Sequence, residues 1–98
     1  MPDTLTVVAR IIATKGQADA LARSMTQMVQ DTRAEEGCIK YVLTRSVDDA
    51  NVFVFIEEWQ SHALWQAHMN GAAIAAHRAR TGEGMVASAE VHALTVVA

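Results

Sequence analysis

Residues 52–69 read VFVFIEEWQSHALWQAHM. The first eight, Val52 to Trp59, are rich in β-branched and aromatic residues and hold no Gly or Pro, which predicts a strand. Alternation puts Phe53, Phe55, Glu57 and Trp59 on one face and Val52, Val54, Ile56 and Glu58 on the other. Both faces are largely apolar. Ser61 then supplies an N-cap for a short helix to about Met69, which Asn70-Gly71 ends. Glu57 and Glu58 diverge across the strand, so they form no paired-carboxylate site. One should be buried near a partner and the other solvated.

Upstream, Cys38 to Ser46 (CIKYVLTRS) alternates as a second strand, and the Asp48-Asp49-Ala50-Asn51 turn joins the two as a hairpin. Before it, Ala18, Leu21, Ala22, Met25, Met28, Val29 and Thr32 recur at helical spacing. Asp19 near the start suits the helix dipole, and Gly37 is the stop signal. Leu5 to Thr14 (LTVVARIIAT) reads as the first strand, broken by Lys15-Gly16. Downstream, Ala72 to Arg80 is an alanine-rich helix, Thr81 to Gly84 a loop, and Ser88 to Val97 a closing strand. The order β-α-β-β-α-(α)-β is that of an α+β, ferredoxin-like fold with an antiparallel sheet. A single domain over residues 1–98 is expected from the length.

Two strands are apolar on both faces, the second being Leu5 to Thr14. A sheet of that kind must be covered on both sides. The helices of a ferredoxin-like unit cover one side only. The other would leave a large apolar patch on a monomer, which soluble proteins rarely tolerate. The pattern therefore predicts a homodimer with two sheets packed face to face, against a monomer whose loops cover the second face.

Composition narrows the function. The chain is 51% hydrophobic and 19% charged, a globular rather than disordered profile. The net charge of -3 comes with no basic stripe, which argues against nucleic acid and anionic membrane as partners. A single cysteine, Cys38, excludes an internal disulfide framework and a Cys-rich metal site, and reads as a small buried hydrophobe. The N-terminal stretch carries Asp3 and Arg10 and lacks the basic start and unbroken apolar core of a signal peptide. No apolar run nears the ~20 residues that span a bilayer, so a soluble cytoplasmic protein is expected.

Chemistry has few carriers. Trp65, His68 and Met69 share one side of the short helix at i, i+3 and i+4. Burial of His68 there would favour neutral imidazole, able to act as a base or a donor; a hydrogen-bonded structural histidine is the plainer reading. Trp59 could form a flat wall against an aromatic ligand, or simply pack the core. Tyr41, on the strand face of Arg45, is the only phenol able to relay a proton. His77 lies on the alanine-rich helix near Arg78 and Arg80. His62 sits at an exposed helix start, and His92 mid-strand, facing the sheet interior or a dimer seam. The four histidines show no metal spacing such as HExxH, and GxGxxG, P-loop and GxSxG motifs are absent.

The segments VVARIIATKGQADAL and RAEEGCIKYVLTRSVDDANVFVFIEEWQSHALWQAHM carry a resemblance. Lys15-Gly16, Glu36-Gly37-Cys38, Asp49 to Asn51, Glu57 to Trp59 and Ala67-His68 stand in the order and spacing of the antibiotic biosynthesis monooxygenase family. That family belongs to the dimeric α+β barrel superfamily. The resemblance implies a ferredoxin-like protomer, a homodimer, and a pocket between sheet and helices. It also implies that a quinol-like or polyketide-like aromatic, once deprotonated, reacts directly with O₂ without metal or flavin. On that reading His68 is the base or donor, Trp59 and Trp65 form the wall, and Tyr41 and His77 contact the substrate. Haem-degrading relatives use an Asn where Ala9 stands and a Trp where His68 stands. Only His77 matches their iron-ligating His, which argues against haem. An isomerase of small carbonyl compounds, or a non-catalytic dimeric ligand-binding or stress-associated protein, remains open on the same fold.

Overall fold

The computed structural model describes residues 4–98. Strand β1 (Leu5–Ala13) leads into helix α1 (Ala18–Arg33). Strands β2 (Cys38–Arg45) and β3 (Val52–Trp59) follow as a hairpin. Helices α2 (His62–Met69) and α3 (Ala72–Thr81) precede the last strand, β4 (Val86–Leu94). The sheet order is β2-β3-β1-β4, every neighbouring pair antiparallel. This is the ferredoxin-like α+β architecture the element order predicts.

Register decides which side chains meet. Val7 pairs with Glu57, Ala9 with Phe55 and Ile11 with Phe53. Tyr41 also pairs with Glu57, and Leu43 with Phe55. Those residues form the inner face, on which the helices lie. From α1, Leu21, Met25, Met28 and Val29 close over Val7, Phe53, Phe55 and Trp59 in one apolar core. Burying each such large side chain contributes about 1.5–3 kcal/mol. The inner face of α1 also carries a polar residue outside the apolar periodicity, Ser24, which is buried.

The outer face is also apolar, as the pattern of β1 and β3 predicts. Val8 and Val42 flank Ile56 from either side, and Ile12 pairs with Val52. Ile56 is 36% exposed although it is central in the sheet. His92 faces outward here, opposite Val8, and its side chain is 59% exposed.

Strand β4 departs from its expected bounds of Ser88 to Val97. It begins earlier because Ala13 reaches Val86 across a register shift after Ile12. It ends at Leu94, opposite Thr6 near the start of β1. β2 also shifts register, between Cys38 and Lys40, so that Cys38 meets Trp59 and Lys40 meets Glu58.

Two local devices set α2. Ser61 caps it, its Oγ accepting from the Leu64 N–H at 3.1 Å. Gly37 has φ +84°, and a Cβ there would stand 2.5 Å from Leu64 Cδ1. Gln60 N–H also donates to the Gly37 carbonyl at 2.8 Å. Only glycine lets the entry to β2 run this close under α2. Among the described residues no helix is long and apolar enough to cross a membrane.

Candidate active site

A cavity of about 290 Å³ lies between the inner face of the sheet and the three helices. Its floor is apolar, with Ala9, Ile11, Phe55, Ala89 and Val91 from the strands. Met25, Met28 and Ile74 close it from α1 and α3. Against that apolar lining stand four side chains able to hold or move a proton: Tyr41, Glu57, His68 and His77. A ring-sized, mostly apolar space with a few convergent polar groups is the usual form of a small-molecule site.

His68 is 3% exposed. Its ring stacks on Trp59 at 4.7 Å between centroids and meets Tyr41 edge-on at 5.4 Å. Its Nδ1 lies 2.6 Å from Glu35 Oε1, a contact between α2 and the turn after α1. Burial lowers the affinity of the imidazole for a second proton, and the Glu35 carboxylate opposes this only in part. Neutral imidazole is the resting form. Glu35 also lines a shallow groove on the outer side with Glu36, Leu64 and Ala67, so His68 stands between that groove and the cavity.

Glu57 is 4% exposed and sits on the inner face. Burial raises its pKa to about 7, although the Trp59 indole N–H donates to Oε1 at 2.9 Å and pulls the other way. A carboxyl poised there can take or give a proton near neutral pH. Glu58 points to the opposite face and is half-buried, as the strand alternation requires. Tyr41 is buried beside Glu57; desolvation and that carboxyl push its phenol far above the ordinary value. It is a donor, not a phenolate.

His77 lines the cavity from α3, and Ser24 Oγ lies 3.0 Å from its Nδ1. Burial first, and then the neighbouring Arg80 and Arg78 charges, lower the affinity of this ring for a second proton, and the Ser24 backbone opposes them only in part. Arg80 reaches across to α1, donating from Nε to Ser24 Oγ and from Nη2 to the Ser24 carbonyl, both at 2.9 Å.

The structure thus brings His68, Tyr41 and His77 to one cavity. The two tryptophans are not among its lining residues. Trp59 is fully buried beneath His68, which takes the place beside the cavity that the indole was expected to occupy. Trp65 packs against the core and meets His62 edge-on at 5.4 Å. Glu35 and Ser24, which hold the two histidines, are polar residues of the α1 segment far from them in sequence. Glu57 carried one signal, a charged residue on an otherwise apolar strand face. Cys38 is half-buried against the core, and the site surroundings raise its thiol pKa, desolvation first and then the Glu35 and Glu57 charges. Among the described residues no three His, Cys, Asp or Glu side chains stand close enough to share a metal ion.

Known proteins share this fold. The profile of the antibiotic biosynthesis monooxygenase family matches residues 4–80, and the chain belongs to that family. A Mycobacterium tuberculosis protein named "putative monooxygenase" is 30% identical over 83 residues, which are 85% of this chain and 81% of that protein. Its solved structure superposes with a TM-score of 0.85 at 27% identity, covering 98% of this chain and 97% of that one. A crystal structure of a Pseudomonas aeruginosa protein gives a TM-score of 0.88 at 32% identity, covering 97% of this chain and 95% of that one.

Proposed function

We propose that this chain is a monooxygenase that oxygenates a quinol-like or polyketide-like aromatic through direct reaction of the deprotonated substrate with O₂. The observation that carries this reading is the pairing of an apolar, ring-sized cavity with neutral His68 and a Glu57 carboxyl titrating at about 7. An anthrone or hydroquinone gives up its acidic proton to His68. The resulting anion is electron-rich enough to reduce O₂ and trap it as a hydroperoxide. Loss of water leaves a carbonyl. One oxygen atom enters the product and the other leaves in water, and the substrate supplies all the electrons that O₂ takes up. The protein contributes orientation, a dry cavity and the base.

The working unit in this proposal is a homodimer joined through the outer sheet face. Support comes from the apolar group of Val8, Val42, Val52 and Ile56 on that face, with all the helices on the other side.

The test is oxygen uptake with a panel of hydroquinones and anthrones, using protein free of bound metal and flavin by absorbance. Uptake should exceed the spontaneous rate and drop about 100-fold or more in His68→Ala, the usual scale for loss of a general base. Uptake equal to autoxidation for every compound would count against catalysis. Equal rates in wild type and variant would remove His68 from the role.

A further inference from the structure

We infer that the two cavity histidines are locked in opposite tautomers, His68 offering a bare Nε2 and His77 an Nε2–H. The cavity is thereby built for an aromatic that carries a hydroxyl and a carbonyl conjugated with it, the hydroxyl meeting His68 and the carbonyl oxygen meeting His77. The assignment deepens the monooxygenase reading and rests on it for its catalytic use, though not for its binding geometry.

The argument begins with donors and acceptors. Glu35 is acceptor-only when ionised, so the 2.6 Å contact requires that His68 Nδ1 carry the proton. A neutral ring has one N–H, which leaves Nε2 as a lone pair. Glu35 lies in the outer groove, so Nε2 is the ring nitrogen left for the cavity.

His77 is decided through Ser24. The hydroxyl of Ser24 accepts from Arg80 Nε, and its own proton needs an acceptor because the residue is 8% exposed. A helical serine often donates to the carbonyl four residues back. Thr26 does this on the same helix, reaching the Ala22 carbonyl at 2.7 Å. Ser24 makes no such bond among the described residues, and its remaining partner is His77 Nδ1 at 3.0 Å. The Ser24 proton therefore points at Nδ1, which must be the bare nitrogen. Nε2 of His77 carries the hydrogen.

One cavity thus holds an acceptor on α2 and a donor on α3. When a ring hydroxyl gives its proton to His68 Nε2, the O–H bond breaks, an N–H bond forms and no electron moves. The negative charge spreads by conjugation to the carbonyl oxygen. A donor held ready at that oxygen stabilises the charge as it develops. A phenol without the second oxygen would leave the His77 N–H without that acceptor, which a desolvated site penalises.

Nitrogen NMR of histidine-labelled protein at neutral pH tests the assignment directly. His68 Nε2 and His77 Nδ1 should read as unprotonated, their ring partners as protonated. Ser24→Ala should return His77 to a mixture of tautomers and leave His68 unchanged. A second measurement is anaerobic binding of 4-hydroxyacetophenone against 4-isopropylphenol, which has a methyl group in place of the carbonyl oxygen. The ketone should bind about fivefold to tenfold tighter, and Ser24→Ala should weaken the preference. A His77 protonated at Nδ1, or equal binding of the two phenols by wild type, overturns the inference even in an active enzyme. If no compound supports oxygen uptake but tautomers and preference stand, the monooxygenase reading falls and the binding geometry remains.

Discussion

The indole N–H of Trp59 donates to Glu57 Oε1 at 2.9 Å, two residues back on the same face of β3. The bond stabilises the ionised carboxyl, yet burial dominates and the pKa stands at about 7. The folded chain therefore holds a proton that the unfolded chain, near 4.5, has released. Between those values the folded state binds more protons, so stability falls as pH rises and levels off above about 7. At roughly 1.4 kcal/mol per pH unit the full effect is about 3 kcal/mol. Glu57→Gln should remove this decline, so the difference between the two unfolding curves grows from pH 5 to pH 8. Trp59→Phe should move the Glu57 titration higher, readable by carboxyl NMR. A difference curve flat in pH would show that Glu57 titrates as an ordinary carboxyl.

His68 moves the other way. Burial lowers its pKa below the ordinary 6.5, and Glu35 raises it in part. A group lowered in this manner costs stability as pH falls below its unfolded value, because the unfolded chain takes up the proton first. Glu35→Ala should lower the His68 pKa further, as followed by ring-proton NMR. An upward move would mean that Glu35 does not favour the protonated ring.

Gly37 combines φ +84° with a Cβ position 2.5 Å from Leu64. Gly37→Ala should cost roughly 1–3 kcal/mol, by backbone strain and by pushing on α2. For a domain of this size each kcal/mol lowers the melting temperature by about 4–8 °C. The same change should weaken the Glu35–His68 contact, since Leu64 and His68 share the helix. An unchanged melting temperature would mean that the α1–β2 turn yields freely.

The outer face gives an assembly prediction. Ile56 stands between Val8 and Val42, and a charge there faces only apolar neighbours across the sheet. Ile56→Glu should halve the mass seen by sedimentation while leaving the circular dichroism of the protomer in place. A wild type that sediments as a monomer at micromolar concentration would set aside the sheet-face dimer.

Much of this architecture is legible from residue types. The bounds of β3 coincide with the β-branched and aromatic run Val52 to Trp59, because nothing in tertiary structure competes with it. The last strand is less legible. Its ends depend on where β1 stops and on a register shift after Ile12, and neither leaves a mark in residues 86–97. The site divides in the same manner. His68 stands out as a polar residue on an apolar helix side. Glu35 and Ser24 do not stand out, because they meet their histidines across 33 and 53 residues of chain. Trp59 reads more readily as core than as pocket wall, and the structure buries it beneath the His68 ring.

The cavity floor has a consequence for how this chain could change. Ala9 and Ala89 lie on strands, whereas His68 and His77 lie on helices. These floor alanines belong to β1 and β4, whereas the proton-handling groups come from β2, β3 and the two later helices. Adding or removing methyl groups at the alanines would alter which rings enter without disturbing the proton-handling groups above them. A lineage built on this plan can wander among substrates of different outline while its reaction stays the same.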